Sequence, residues 1–308
     1  MAELSDEKIL VTGPAGQIAF PLAARLAKDN EVWGIARFSD TRTKERCDKA
    51  GLQTRAVDLA EPDWVDLPDD FTYVLHLAAV IAPGHDFDGA IRINAEGTGR
   101  LMSRFRSARA FLVMSTCGVY LSPEDGERAV VETDPLGGSP QPYSPTYCVS
   151  KIAQEAVARH CAEEFDVPTT LARMNAAYGD NGGLPAMLVP AVLGGHPIPI
   201  LPGHSICSPI HEDDIFAQTP SLLAAASVPA TITNWGGDQP LDLRELCSYI
   251  GELVGKEAKF VESDEGIHQY RLDTTKRTEI AGPCTVDWKD GVRRMVATRH
   301  PDIDLRDV

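Results

Sequence analysis

Between residues 9 and 172 the chain alternates short β-branched runs with stretches of helical apolar spacing. Strand-like runs are Ile9–Thr12, Glu31–Ile35, Arg55–Val57, Tyr73–Leu77, Phe111–Met114 and Thr169–Ala172. Between several of them, as in Ile18–Leu26, Ile91–Phe105 and Tyr147–Phe165, apolar residues recur at three- and four-residue intervals. Parallel strands cannot be joined by a tight turn, so such alternation calls for helical crossovers of right-handed sense. The pattern predicts an α/β fold built on a doubly wound parallel sheet.

The alternation breaks at residues 121–146, LSPEDGERAVVETDPLGGSPQPYSPT, a Pro-, Gly- and acid-rich stretch without a period. It reads as a long functional loop beside the C-terminal edge of the sheet. After Gly179 the composition shifts again, through NGGLPAMLVP and GGHPIPILPGHS, which predicts a smaller second lobe. The expected division gives the main domain residues 1–178 and about 211–238, with Thr231–Asn234 returning as a further strand. Residues 179–210 and 239–308 form the lobe expected to bind substrate.

Of the 308 residues, 45 are Asp or Glu against 29 Lys or Arg, a formal net charge of −16. That excess excludes a general basic footprint for nucleic acid or anionic lipid. Any phosphate has to be met locally, by a helix N-terminus or a single cation. The start MAELSDEK has no apolar core of a signal peptide, and the longest apolar stretch, around Val74–Ala82, is too short to span a bilayer. Seven cysteines stand in no C-x-x-C pair, as expected of scattered reduced thiols in a cytoplasmic protein.

Three features carry chemistry. In KILVTGPAGQIAFPLAARL a strand runs into Gly13-Pro-Ala-Gly16-Gln17-Ile18-Ala19 and a helix follows. The free N–H groups and positive dipole end of such a helix suit a pyrophosphate, although glycine also ends many strands without one. Ser144-Pro145 reads as an N-cap with Pro at the first helical position, which puts Tyr147 and Lys151 four apart on one helical face. A phenol is a poor base at neutral pH unless a nearby cation stabilises its anion, and Lys151 supplies one; the spacing also arises by chance. Finally, the apolar run Phe111–Met114 ends in Ser115-Thr116, at the sheet edge where open α/β sheets bind ligands. A hydroxyl, a phenol and a lysine beside a nicotinamide form a proton-transfer set for a carbinol or carbonyl.

These features fall into a longer ordered set: Thr12-Gly13-x-x-Gly16-x-x-Ala19, His76-Leu-Ala-Ala79, Asn94-x-x-Gly97-Thr98, Ser115-Thr116-x-x-Val119-Tyr120, Tyr147-x-x-x-Lys151, Arg173-x-Asn175-x-x-Tyr178-Gly179 and His211-x-Asp213-Asp214. Over nearly its whole length the chain resembles the extended short-chain dehydrogenase/reductases, the NAD-dependent epimerase/dehydratase family. That family spaces its glycines as TGxxGxxG, so Ala19 is the one departure in the turn. The resemblance implies a Rossmann dinucleotide-binding domain and a catalytic set of Thr116, Tyr147 and Lys151. Tyr147 is then the general acid/base, Lys151 holds the nicotinamide ribose and lowers the Tyr147 pKa, and Thr116 hydrogen-bonds the substrate oxygen. It places Gly13, Gly16, Gln17 and Ile18 around the pyrophosphate, Asp58 and Leu59 beside adenine, Ala78 and Ala79 along the cofactor cleft, and Asn94 as a supporting polar residue. It puts Thr116, Cys117, Asn175 and Cys207 on the substrate side, and a homodimer formed through Ile91–Phe105 and Tyr147–Phe165.

The departures narrow the reading. Sugar-nucleotide 4,6-dehydratases of the family carry an acidic pair where this chain has Cys117 and Gly118, which argues against dehydration. Sugar-nucleotide members commonly carry Arg where this chain has Cys207, which weakens the case for a nucleotide-sugar substrate unless Arg173 or another cation stands in. At the end of the second strand, EVWGIARFSD offers Arg37 and no acid before Asp40, with Arg42 and Lys44 close by, which favours NADP(H) over NAD. His196, His204 and His211 with Asp213 and Asp214 match no common zinc spacing, so no metal is expected. The reading is an NAD(P)-dependent oxidoreductase exchanging hydride with a small oxygenated, non-phosphorylated substrate. The alternatives are a sugar or nucleotide-sugar epimerase and a non-catalytic dinucleotide sensor.

Overall fold

The structure is a computed structural model that describes residues 4–308 except 124, 139, 140, 142, 204 and 265. Its centre is a seven-stranded, all-parallel sheet formed by β1 (Lys8–Thr12), β2 (Glu31–Ala36), β3 (Gln53–Ala56), β4 (Tyr73–His76), β5 (Ala110–Thr116), β6 (Thr169–Met174) and the late strand Thr231–Trp235. The strand order is Thr231–Trp235, β6, β5, β4, β1, β2, β3, so the direction of winding reverses between β1 and β4. In sheets of this kind the crevice outside the strand C-termini at that reversal is where ligands bind. The α/β doubly wound expectation therefore holds.

Central strands read as unbroken apolar runs because helices cover both faces. One face packs Ile9, Val11, Leu75, Leu112 and Ala172 against α1 (Ala19–Leu26) and the late helix Glu212–Ala224. The other packs Leu10, Val74, Phe111, Val113 and Leu171 beneath the helices Gly97–Arg104 and Tyr147–Glu164. The helices preceding that second layer are α2 (Thr41–Lys49) and α3 (Phe87–Ile91), and a wide turn over Arg92–Glu96 leads from α3 into α4 (Gly97–Arg104). The long helix α5 (Tyr147–Glu164) begins after Ser144-Pro145. Its N-cap is Thr146 rather than Ser144, whose hydroxyl instead donates to the Ala82 carbonyl at 2.9 Å and ties the loop after β4 to the entry of α5.

The remaining chain builds a second apolar core from Val189, Val192, Ile198, Leu246, Ile250, Leu253, Val292 and Met295. Its sheets are two-residue to four-residue pieces, such as Pro197–Ile200 beside Lys259–Glu262 and Ile206–Cys207 beside Leu241–Asp242. Among the described residues no helix is long and apolar enough to cross a membrane.

Candidate active site

The turn after β1 requires glycine at its first position. Gly13 has φ +66°, and a Cβ there would stand 3.0 Å from Ala78 Cα. Gly13 O accepts the Gly16 amide at 2.9 Å and Gly16 O accepts Phe20 N at 3.0 Å, so the turn runs directly into α1. No side chain caps α1, which leaves its first N–H groups available to an anion. Ala19 sits buried in the sheet–helix core, where its methyl is accommodated.

A buried polar chain holds the neighbouring loop at this distance. Thr12 Oγ1 accepts Leu77 N at 3.1 Å and Ala78 N at 2.9 Å, and meets His76 Nδ1 at 2.8 Å. The other ring nitrogen of His76 meets Thr98 Oγ1 at 2.7 Å. Burial, with some help from Lys151, lowers the His76 pKa to about 3, so the ring is neutral and serves as a strut.

Two cavities open along the C-terminal edge of the sheet. One, of about 380 Å³, is bounded by Gly13, Gly16, Arg37, Asp58, Leu59 and Ala78. The second, of about 260 Å³, is bounded by Gln17, Ile18, Thr116, Tyr147, Lys151 and Asn175. Gly16 and Ala79 border both. A bipartite cleft with the glycine turn at its waist fits a dinucleotide, with the pyrophosphate at the waist. A larger groove, of about 1500 Å³, lies at the opposite edge, among Asp69–Thr72 and the end of α4, and is open to solvent.

In the second cavity, Tyr147 opens α5 and Lys151 follows one turn later on the same face. The Lys151 ammonium is buried and donates to the Met114 carbonyl of β5 at 2.7 Å. Burial lowers its pKa to about 7, against the opposing influence of Glu155. Burial, with Tyr143 and Cys148 nearby, raises the Tyr147 phenol above the ordinary range of phenols, while a hydrogen bond with Thr116 acts in the opposite sense. Thr116 Oγ1 also accepts the Gly118 amide at 3.2 Å, which fixes the turn leaving β5.

Other expected residues stand elsewhere. Asn94 is buried behind the cleft: its amide exchanges hydrogen bonds with the Val80 backbone and donates to Ser150 Oγ at 2.9 Å, so it holds the wall without lining either cavity. Cys207 corrects the expectation for that position, since it is fully buried in the second core with its thiol on the Leu241 carbonyl. Cys117 is also buried, receives Asn175 Nδ2 at 3.2 Å, and has its thiol pushed up to about 12 by burial. Asn175 borders the second cavity while its side chain pins Cys117, Tyr270 O, Ala176 N and Ser208 N. Arg173 is no substitute phosphate ligand, because Glu155 holds it in a bidentate pair at 2.7 and 2.9 Å.

Arg37 projects at the rim of the first cavity with no hydrogen bond or ion pair among the described residues, whereas Asp40 is engaged by the Arg42 guanidinium and caps α2. Arg42 lowers the Asp40 pKa. His211 caps the helix Glu212–Ala224 by accepting Asp213 N at 3.1 Å, His196 is exposed, and His204 lies outside the described residues. Sequence reasoning missed Glu155, one turn beyond Lys151; the regular spacing Tyr147, Lys151, Glu155 was the available signal.

The family model described as the NAD dependent epimerase/dehydratase family matches residues 9–204. A protein of Rhizobium meliloti (strain 1021) named probable UDP-glucuronate 4-epimerase is 23% identical over 301 residues, spanning 82% of this chain and 83% of its own length. The crystal structure of UDP-glucuronic acid 4-epimerase from Bacillus cereus, in complex with UDP-glucuronic acid and NAD, has a TM-score of 0.80 at 24% identity, covering 94% of this chain and 98% of that one. UDP-N-acetylglucosamine 4-epimerase from Methanobrevibacter ruminantium M1, in complex with UDP-N-acetylmuramic acid, also gives 0.80, at 18% identity over 97% of this chain and 100% of that one. At such identities the structural likeness speaks for the fold, and the family follows from the model spanning most of the chain. This protein belongs to the NAD dependent epimerase/dehydratase family.

Proposed function

We propose that this enzyme exchanges hydride between a nicotinamide dinucleotide and a carbinol or carbonyl carbon of a small oxygenated substrate. The observation that carries the reading is the joint placement of Thr116, Tyr147 and Lys151 on one cavity that meets the glycine turn at Gly16. When bound, the dinucleotide supplies a reversible hydride acceptor. Tyr147 Oη takes the carbinol proton in oxidation and returns one in reduction. In its charged form Lys151 Nζ favours the phenolate against the burial that raises Tyr147, and it is within the same wall to hold a ribose hydroxyl. Thr116 Oγ1 aligns the reacting oxygen with the phenol. Position 117 is a raised-pKa thiol and position 118 has no side chain, so neither supplies an acid for eliminating water.

The supported cofactor preference is NADP(H), from Arg37 at the rim and the engagement of Asp40 by Arg42. Tyr147→Phe is expected to lower turnover by about 10²–10⁴-fold with dinucleotide affinity nearly unchanged, measured by absorbance at the nicotinamide band and by calorimetry. Full turnover in that variant ends the reading. The second reading is epimerisation, in which hydride leaves and returns to the opposite face; the names of the relatives favour it. Dinucleotide retained through purification and left unchanged by any alcohol or carbonyl, while UDP-glucuronate is epimerised, decides for it. The proposal includes cytoplasmic location, supported by the seven free thiols, and a homodimer, to be measured by light scattering.

A further inference from the structure

Behind the Tyr147–Lys151 face of α5 lies a buried polar chain to which hydride exchange assigns no task. Glu155 accepts Arg173 Nε at 2.9 Å on one carboxylate oxygen and Arg173 Nη2 at 2.7 Å on the other. The Ser115 hydroxyl, beside Thr116, donates to the same carboxylate. Arg173 Nη1 donates onward to the Tyr120 hydroxyl at 3.0 Å and to the Glu132 carbonyl at 2.9 Å. Tyr120 donates to Asn234 Oδ1, and Asn234 Nδ2 reaches the carbonyls of Val130 at 2.8 Å and Asp273 at 2.9 Å. The pair is sealed, with side chains 3% and 2% exposed.

A buried ion pair is weak evidence for stability, since removing two charges from water costs about what their attraction returns. Its location is the informative part. One end is on α5 and at the end of β5; the other grips Val130 and Glu132 in the segment that follows β5, and the Asp273 carbonyl. We infer that Glu155, clamped by Arg173 and by the Ser115 hydroxyl, is a positioning residue: it fixes the Tyr147–Lys151 face of α5 against the ends of β5 and β6. This rests on the hydride-exchange reading of the site. Lys151 Nζ meets the Met114 carbonyl from β5 and shares its cavity with Tyr147, while the titrating groups coupled to it by charge are His76 from β4 and Glu155, one turn on along α5. Glu155 is the negative charge in that group, and it opposes the burial that lowers Lys151 to about 7.

The test follows Lys151 by carbon-13 NMR of the lysine ε-methylene in the full chain, its signal identified by loss in Lys151→Met. The parent midpoint is expected near 7. In Glu155→Gln it should fall by about one pH unit, because the carboxylate charge is gone and Arg173 is left unpaired. The double variant Glu155→Leu/Arg173→Met loses both ions and should show a smaller fall in the same direction. Melting temperatures are recorded alongside. A pair that serves only the fold changes the melting temperature and leaves the Lys151 midpoint in place, and that result overturns the inference. If Glu155→Gln does not fold, the double variant, with an apolar replacement of similar volume, carries the measurement. The titration needs neither substrate nor dinucleotide, so its failure is distinct from the failure of Tyr147→Phe to lose turnover.

Discussion

At Gly13 a single added methyl group meets two penalties, a left-handed backbone at φ +66° and a Cβ contact of 3.0 Å with Ala78 Cα. Gly13→Ala should lower unfolding free energy by about 1–3 kcal/mol in urea titration, and weaken dinucleotide binding because the turn and Ala78 separate. A change below about 0.5 kcal/mol counts against the strain argument. Arg37 belongs to the same scale. With one charge-assisted contact removed, Arg37→Ala should erase most of a preference for NADP+ over NAD+, about tenfold in affinity by calorimetry. A parent protein that prefers NAD+ shows that Arg37 is a solvated surface cation. Single residues were legible in the sequence where their logic is local: Tyr147 and Lys151 share a helical face by spacing alone. Cys207 was placed by its position in a motif, and the direction of its side chain depends on a second core that no local pattern displays.

Helix α2 tests the cofactor argument at the scale of an element. Asp40 caps α2 by accepting Arg42 N at 3.0 Å and also holds the Arg42 guanidinium. Asp40→Ala should cost about 0.5–2 kcal/mol of stability and leave NADP+ affinity intact or higher. Loss of NAD+ affinity in that variant would instead make Asp40 a ribose ligand. The central strands were legible as elements because apolar runs buried on both faces mark their own ends. The edge strand β3 was displaced, Gln53–Ala56 in place of 55–57, since it pairs on one side only and its residues are largely polar. The start of α5 was misread for a related reason. Ser144 has the chemistry of a cap, but the Ala82 carbonyl, 62 positions away, claims its hydroxyl.

Across the whole molecule, buried ionisable groups set the pH dependence of stability. His76 has its folded pKa depressed from 6.5 to about 3, so its neutral form stabilises the fold fully above 6.5. That contribution is lost as pH falls from 6.5 toward 3, at a limiting slope of about 1.4 kcal/mol per pH unit. Thermal melts of His76→Asn should be flatter over that interval than those of the parent; parallel curves refute the assignment. Lys151, depressed from 10.5 to about 7, adds a second slope of the same sign between those values. The doubly wound parallel class of the sheet followed from alternation and handedness, whereas the strand order and its reversal between β1 and β4 came from the structure. The short sheets around the second apolar core did not follow from the sequence either, because two-residue strands carry no period.

Asn175 gives the molecule a timetable. Its amide joins Cys117, Ser208 and Tyr270, partners that lie 58, 33 and 95 positions away along the chain. Contacts of such separation close late in folding, after the loop entropy between them has been met by nearer contacts. A nascent chain that has completed the strands through β6 still lacks Ser208 and Tyr270, two of the partners of the Asn175 amide. The wall of the second cavity is thus finished only once Tyr270 is in place, and a protein truncated before Tyr270 should keep a sheet but lose the cleft.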